Sequence, residues 1–380
     1  MVGLRGAYRS AICQSPDPMR VVVGILSGAL VVLMVAEFFV TFLLPRRVKR
    51  DVRIARQFFV IAWRPWRWLA SRRSRAVGDT MMGLFGPIGL LFILGFLSAG
   101  VIVGFAGLHW AERSHLRGQH PAQFGTDLYF SAGSFFTVST ASTPVNGGAK
   151  VLQIAEAASG FAVLFISIGY LPALFQAFSR RETAISQLDP RAGSPPSAGA
   201  LLERAGERGW GEIDGYLREW ETWAAEVMET QLSYPIIGWF RSQHVNQNWL
   251  AALTAVVDAS AFSIAYSPEH SVGAEATFAI GRHALADLAY SYRTRVPSGT
   301  VDRLSDGDLE ELLRRLREAG LELADDDNAK GKLDKMRSSY ERFAVAISER
   351  LALAVPGWLP GEDAVEYWRV APSSLRGAHD

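Results

Sequence analysis

The chain has 380 residues, of which 49% are hydrophobic, and its formal net charge is +1. This length suffices for a membrane part and one soluble domain, since hydrophobic residues concentrate before residue 180 and most acidic residues follow it. Cys13 is the only cysteine, which excludes a disulfide framework and a cysteine metal site. The seven histidines are scattered singly without metal-ligand spacing, so we expect structural roles for them. We also expect no cofactor and no nucleic-acid partner.

Three apolar runs are long enough to cross a membrane: Val21–Leu44, Met81–Leu108 and Val151–Phe178. Each exceeds the roughly 20 residues that a helix needs to span a hydrocarbon core of about 30 Å. The first run is too long for a signal-peptide core and lacks a small-residue cleavage site, so it predicts a retained helix within a first segment, 1–44. The fold class is therefore an all-α membrane protein with three transmembrane helices.

The segment 45–80 between the first two runs is strongly basic, with eleven Arg and Lys against one acid, Asp51, over residues 46–75. The positive-inside rule places it in the cytoplasm. This orientation predicts an inner (plasma) membrane, multi-pass protein with its N-terminus and the loop 109–150 outside. Because aromatic residues such as Trp63 and Trp66 alternate with arginine, we expect a helix in the headgroup region. It serves as a membrane-surface linker, as a site for anionic lipid at 46–75, or as a cuff that moves during gating.

A short aromatic-rich segment precedes the third run and predicts a re-entrant pore loop. Thr126 can cap a helix that begins at Asp127 and continues to Phe135. The partial negative charge at the C-terminal end of such a helix favours a cation in front of it. An extended strip follows, formed by Thr137, Val138, Ser139, Thr140, Ala141 and Ser142. Its carbonyls could replace an ion's water shell, although a structural re-entrant loop without conduction satisfies the same backbone constraints.

This order of elements resembles the two-transmembrane pore module of the potassium channel superfamily, whose filter signature is TVGYGD. Three further blocks resemble a bacterial family of potassium channel-like membrane proteins: AEFFVTFLLPRRV at 36–48 with WRPWRWLA at 63–70, AEAASGF with IGYLPALFQAFSRRE within 155–182, and LSYPIIGWFRSQHVNQNWLAALTAVVD at 232–258. The resemblance implies a pore module over 81–178, a homotetramer, and K⁺ or Na⁺ as the permeant ion. It also makes Glu156 a filter-supporting acid; the alternative is a surface residue at a helix boundary.

The strip departs from the signature at both glycines, where Ser139 and Ala141 stand. Each would pay about 1–2 kcal/mol to adopt the left-handed dihedrals that glycine takes there. We therefore expect a wider strip lined by hydroxyl groups and weak or no selectivity among monovalent cations, or a collapsed strip. Residues 128–155 contain no acid, so the acidic ring of a divalent-selective pore is absent from the sequence.

Further residues are assigned to support and gating. Asp127 and Tyr129 are predicted to support the filter. Gly169 and Pro172 frame a predicted bend in the third helix, as a gate hinge or a fixed kink, because proline removes a helix hydrogen bond. Glu37 has no assigned role; the simplest expectation is an ion pair, formed by snorkelling, with Arg46 or Arg47 after the first run.

The C-terminal half predicts an all-α cytoplasmic domain, 201–380, after a linker, 179–200, whose three prolines break helix. Helical periodicity marks six segments: Ala200–Arg208, Ile213–Leu232, Gln247–Ser267, Gly273–Tyr292, Asp306–Ala319 and Ala329–Ala354. There is no dinucleotide-binding fingerprint. The run Asp325–Asp327 is a solvated acidic turn or a divalent site, and the polar block around Gln243 and His244 is a core turn or a ligand or pore-coupling site.

These patterns predict a tetrameric, potassium channel-like cation channel with a degenerate filter. The alternative is a non-conducting membrane sensor or scaffold that keeps the pore fold. A membrane-tethered enzyme would need a catalytic constellation, and the sequence contains no nucleophile–base pairing, metal spacing or phosphate loop, so we expect no enzymatic activity.

Overall fold

The computed structural model describes residues 17–43, 54–113, 123–138, 143–242, 246–299, 301–324, 328–361 and 364. The described residues form helices and no β-strand, which confirms the all-α prediction. The α-helices are α1 (Pro18–Phe42), α2 (Ile54–Ser71), α3 (Arg75–Ala111), α4 (Phe124–Phe135), α5 (Gly147–Ala192), α6 (Ala198–Gly206), α7 (Trp210–Ser233), α8 (Trp249–Tyr266), α9 (Val272–Ser291), α10 (Asp306–Glu318), α11 (Ala329–Ser338) and α12 (Glu341–Leu351). A 3₁₀ helix, Pro235–Trp239, lies between α7 and α8.

The chain divides into two compact units. The N-terminal unit comprises Met1–Trp68 and Pro87–Pro172, and the C-terminal unit comprises Leu69–Gly86 and Ala173–Asp380. Helices α2, α3 and α5 contribute to both.

Four of the described helices are long and apolar enough to cross a membrane: α1, α3 from Val77, α5 and α8. They differ in how far the protein itself covers them. In the most apolar stretch of α8, 94% of the residues are buried, against 17% in α1 and 11% in α5. Apolar surface left uncovered on this scale is typical of helices that face lipid or a partner. The protein is therefore a helical membrane protein.

In the N-terminal unit, small residues bring α1 and α3 close together. Gly100 lies against Met34, and Gly104 lies against Val31, where an added Cβ would come within 3.3 Å of the Ser27 carbonyl oxygen. Close approach of two backbones through small residues is the usual way in which apolar helices pack in a membrane. Side chains larger than glycine on this face of α3 would push α1 away.

Helix α2 packs on α3 through aromatic rings and begins at a buried acid. The Phe58 ring stacks on Phe92 with 4.4 Å between centroids. The Glu37 carboxylate of α1, 7% exposed, accepts a hydrogen bond of 3.4 Å from the Ala55 amide in the first turn of α2. That turn carries unpaired N–H groups and partial positive charge, which a carboxylate stabilises. The arginines expected to pair with Glu37, at 46 and 47, lie outside the described residues.

One predicted helix start and one predicted helix end are wrong. Helix α4 begins at Phe124, with Gln123 rather than Thr126 at its N-cap, so Thr126 lies in the first turn. Helix α5 does not end at Phe178 but continues to Ala192, through most of the segment predicted as a linker. Ile185 and Leu188 are buried at helical spacing in this extension, and Pro190 lies on its exposed face. Burial of this stripe outweighs the single hydrogen bond that Pro190 removes, whose acceptor faces solvent.

The predicted helix Ala329–Ala354 is two helices, α11 and α12, with a break before Glu341. Tyr340 leaves the helical conformation at φ −132° and is fully buried, and its hydroxyl donates a hydrogen bond to Asp258 of α8. Arg303 donates two hydrogen bonds to the same carboxylate, at 2.9 and 3.1 Å. Burial, together with the charge of Asp258, raises the pKa of Tyr340 well above its usual range. The helix breaks at Tyr340 because its side chain turns to reach Asp258 of α8 in this buried network.

Helix α9 begins on a carboxylate from α7. Asp214 accepts hydrogen bonds from the Ser271 hydroxyl at 2.6 Å and from the Gly273 and Ala274 amides at 2.7 and 3.3 Å. Burial acts to raise the pKa of Asp214, but these hydrogen bonds outweigh it and hold the pKa below its ordinary value. The carboxylate thus joins α7 to α9 in its ionised form.

Candidate functional site

Four polar side chains from α3, α4 and α5 form a buried cluster in the N-terminal unit: His109, Asp127, Ser131 and Glu156. Each is at most 1% exposed. Helix α3 supplies His109 in its last turn, α4 supplies Asp127 in its first turn, and α5 supplies Glu156 in its third turn. Burying four such groups beside apolar helices is costly unless they bond to one another, and ionisable residues in such places are usually functional.

Ser131 is the centre of the buried polar cluster. Its hydroxyl is 2.7 Å from the Ile102 carbonyl oxygen and is also hydrogen-bonded to the Glu156 carboxylate. Because a serine hydroxyl has one proton, it can donate to only one of these oxygens at a time. A carboxyl proton on Glu156, donated to the serine oxygen, would allow both hydrogen bonds to form at once. A Gln at position 156 could supply such a proton from its amide, whereas Ala could not.

His109 closes the buried polar cluster on the α3 side. Its Nε2 atom lies 3.7 Å from a Glu156 carboxylate oxygen, and its ring meets Phe130 edge-on with 5.2 Å between centroids. Asp127 and Glu156 were predicted from the sequence as filter support, whereas His109 was expected to have only a structural role and Ser131 was not singled out. An ionisable residue at the end of an apolar run was the available signal for His109.

Tyr129, also predicted to support the filter, does not join the cluster. It lies on α4 between Asp127 and Ser131, and its side chain is 73% exposed. An aromatic ring this exposed on a helix between two long apolar helices is available to lipid or to another copy of the chain.

The chain leaves α4 through a strained turn at the first strip residue. Thr137 has φ +56°, in the left-handed region. Its amide donates to the Ser134 carbonyl at 3.2 Å, and the Val138 amide donates to the Gly133 carbonyl at 2.8 Å, which is the paired capping pattern usually completed by glycine. A β-branched residue in this conformation costs about 1–2 kcal/mol. Strain was predicted at Ser139 and Ala141, which, with Thr140 and Ser142, lie outside the described residues.

The end of α4 is held against α5 by a close backbone approach. A Cβ added at Gly160 would overlap the carbonyl oxygen of Phe135, the last residue of α4. Only glycine allows the two backbones to come this close. Ser131 and Glu156 join the same two helices about one turn earlier on each. The direction of α4 is thus set by two contacts with α5.

Helix α5 is continuous through the predicted hinge at Gly169 and Pro172. A Cβ added at Gly169 would meet no atom within 4 Å, and the Ser167 hydroxyl donates to the Val163 carbonyl at 2.7 Å, a contact that often bends helices. Pro172 lacks the N–H that would reach Ile168. Three features that weaken a helix thus fall within six residues, and the hinge stays a prediction.

In the C-terminal unit, Arg181 anchors α5 to the 3₁₀ helix. Its guanidinium donates to the carbonyl oxygens of Ile237 at 3.0 Å and Phe240 at 2.9 Å, and it pairs with Glu182 at 2.9 Å. In the polar block 232–258, the Asn248 side chain caps α8 by accepting from the Ala251 amide at 2.8 Å, which favours a core turn. Gln243 and His244 of this block lie outside the described residues. The acidic run 325–327 also lies outside them.

The described residues contain no group of three or more His, Cys, Asp or Glu side chains that could hold a metal ion. No protein-family model matches the chain, and no curated protein or solved structure matches it.

Proposed function

We propose that this protein is a homotetrameric cation channel of the potassium channel-like kind, with a degenerate filter and weak or no selectivity among monovalent cations. The observation that supports it is the short helix α4 between two long apolar helices. Contacts at Ser131 and Gly160 fix α4 on α5, and α4 ends in a strained turn at Thr137, where the proposed filter strip begins. A short helix held rigidly in front of an irregular strip is what a pore loop requires.

In this proposal α1, α3 and α5 cross the membrane and α8 does not. Helix α8 is covered almost completely by other helices of its own unit, which suits the core of a helical domain. The basic segment before α3 is cytoplasmic under the positive-inside rule, which places the N-terminus and α4 on the external side and the C-terminal domain in the cytoplasm. The membrane is the inner (plasma) membrane.

Four copies are required because each chain carries one pore loop, and cyclic symmetry closes one path from four loops. The surface of α5 is consistent with this assembly. Phe161, Phe165 and Ile168 are 49%, 68% and 60% exposed in the single chain. In the tetramer this face meets neighbouring copies and the pore, and Tyr129 of α4 faces an adjacent subunit. The C-terminal ends of four α4 helices then point partial negative charge at a shared cavity, which favours K⁺ or Na⁺.

Helix α2 is proposed to lie at the cytoplasmic membrane surface and to bind anionic lipid. Ile61 and Trp68 are 69% and 54% exposed and alternate along the helix with arginines such as Arg64. Exposed apolar and basic side chains on one helix suit the boundary between headgroups and acyl chains.

Native mass spectrometry of the detergent-solubilised protein, combined with cation flux into liposomes, tests the channel proposal. We expect a tetramer and a cation leak above that of empty vesicles. A monomer or dimer that shows no flux would refute the pore. Glu156→Gln should keep flux because it retains a proton donor for Ser131, whereas Glu156→Ala should lose most of it.

Restoring the family signature tests the filter. The variant Ser139→Gly, Thr140→Tyr, Ala141→Gly, Ser142→Asp carries TVGYGD. We expect it to prefer K⁺ over Na⁺, since glycine relieves strain at both left-handed positions, while wild type discriminates little. Strong K⁺ preference in the wild type would show that glycine is not needed here.

A non-conducting membrane sensor or scaffold is the second candidate. The two missing filter glycines favour it, and so does the use of the Thr137 and Val138 amides to cap α4. A tetramer that passes no cation under any voltage or pH would support the scaffold over the channel.

A further inference from the structure

A groove of about 700 Å³ lies among the ends of α1, α3 and α5 in the N-terminal unit. Its apolar wall is formed by side chains such as Val21, Ile25, Leu108 and Val151. Ile25 and Val151 are each 67% exposed. Because all three helices are long and apolar enough to cross a membrane, this wall faces the hydrocarbon region and not bulk water.

The rim of the groove is charged and balanced. Asp17 and Arg20 come from the start of α1, and Glu112 and Arg113 directly follow α3. Two arginines and two acids therefore meet where the helices reach the end of their apolar stretches. An apolar wall under a rim of both signs matches a molecule with acyl chains and a zwitterionic head.

Arg20 is held in place at this rim. Its guanidinium donates to the Trp110 carbonyl at 2.8 Å and lies over the Trp110 ring, 4.6 Å from the centroid. A guanidinium has five N–H donors, so this contact leaves several for another acceptor. Arginine binds phosphate through paired N–H groups, and ordering the side chain beforehand reduces the entropy lost on binding.

We infer that the groove binds a phospholipid whose head group joins a phosphate to a primary ammonium, as in phosphatidylethanolamine. The arginines contact the phosphate and the two carboxylates accept hydrogen bonds from the ammonium. A quaternary ammonium has no N–H to donate, and a purely anionic head group offers no donor to either carboxylate. Asp17 already accepts from the Met19 amide at 3.1 Å and lies 3.8 Å from Arg20, so Glu112 depends most on the ammonium. The groove therefore prefers phosphatidylethanolamine to phosphatidylcholine and phosphatidylglycerol.

This lipid sits in the leaflet opposite to the one that α2 contacts under the proposed orientation. Its binding requires that α1, α3 and α5 cross a bilayer, but it does not require that the protein conduct ions. A channel that fails in the flux assay can therefore still bind the lipid.

Native mass spectrometry of the full chain with each of the three lipids, at equal concentration in detergent, tests the inference. Two variants probe the groove. Ile25→Trp fills the apolar wall without changing a charge, and Arg20→Gln removes a phosphate partner. Leu26→Trp and Lys150→Gln are the matched controls, because both positions are exposed at the same end of the molecule and neither lines the groove.

We expect wild type and both controls to retain phosphatidylethanolamine preferentially. Arg20→Gln should retain about tenfold less, a loss of about 1.4 kcal/mol, since it removes a charge-assisted hydrogen bond to the phosphate. Ile25→Trp should lose retention to a similar degree, which separates loss of the site from loss of the Arg20 contact to α3. Equal retention of the three lipids by wild type, or unchanged retention by Ile25→Trp, would overturn the inference.

Discussion

Replacing Arg181 with methionine should destabilise the C-terminal unit far more than the same change at the neighbouring Arg180. Arg181 is 4% exposed and donates to two backbone carbonyls, of Ile237 and Phe240, while it pairs with Glu182. Arg180 is exposed. Methionine keeps the apolar length of the side chain, so the difference between the two variants isolates the guanidinium contacts.

The magnitude follows from what the substitution leaves behind. Removing one partner of a buried ionic contact costs about 3–5 kcal/mol, because the remaining groups stay buried and unpaired. For a unit of this size, each kcal/mol moves the melting temperature by about 2–4 °C, so Arg181→Met should lower it by about 10 °C. An exposed arginine contributes within about 0.5 kcal/mol, so Arg180→Met should change it by less than about 2 °C.

Tryptophan fluorescence during thermal unfolding is a suitable assay, because Trp239 lies in the anchored 3₁₀ helix and is 7% exposed. Arg181→Lys should fall between wild type and Arg181→Met, since an ammonium group lacks the rigid fork that reaches both carbonyls. Equal shifts for Arg180→Met and Arg181→Met, or no shift for either, would refute the reasoning.

Three further changes have defined outcomes. Asp214→Asn should lower stability at pH 7 in a denaturant titration, because the folded pKa of Asp214 is depressed; the wild-type advantage is fully present above the unfolded pKa of about 3.9 and is lost as pH falls through the lower folded value. A difference that persists unchanged in strong acid would contradict this. Glu37→Ala should speed amide hydrogen exchange in the first turn of α2, at a cost of about 1 kcal/mol, and Glu37→Gln should not, because its amide oxygen still accepts. Gly160→Ala should destabilise the N-terminal unit by about 1–3 kcal/mol in thermal melts, since its Cβ overlaps the Phe135 carbonyl, whereas Gly95→Ala, in open space, should be neutral.

The helical architecture was predictable from local patterns. The length of the apolar runs identifies α1, α3 and α5, because the number of consecutive apolar residues determines whether a helix can cross the hydrocarbon core. From α6 to the end of the described chain, the helices were predicted to within a few residues, except that α11 and α12 were taken as a single helix. Their starts are also local: Asn248, Ser271 and Ser305 each cap the helix that follows through their own side chain.

Half of the buried polar cluster was predictable. Asp127 and Glu156 were assigned from the sequence. His109 and Ser131 could not be assigned, because their polar contacts form only where α3, α4 and α5 pack together. Ser131 and Glu156 are 25 residues apart in the chain. Nothing in either local segment states that a serine on one helix will face an acid on another.

Tertiary contacts likewise decided which of two adjacent arginines is structural. Arg180 and Arg181 are adjacent and carry the same charge. Because successive residues of a helix point in different directions, only Arg181 faces the carbonyl oxygens of Ile237 and Phe240, 56 and 59 residues away. Packing of the same face also extends α5 past its predicted end, because Ile185 and Leu188 are buried on it after Arg181. Sequence periodicity specifies that a helix has a face, whereas the partner against which that face packs depends on the chain's long-range contacts.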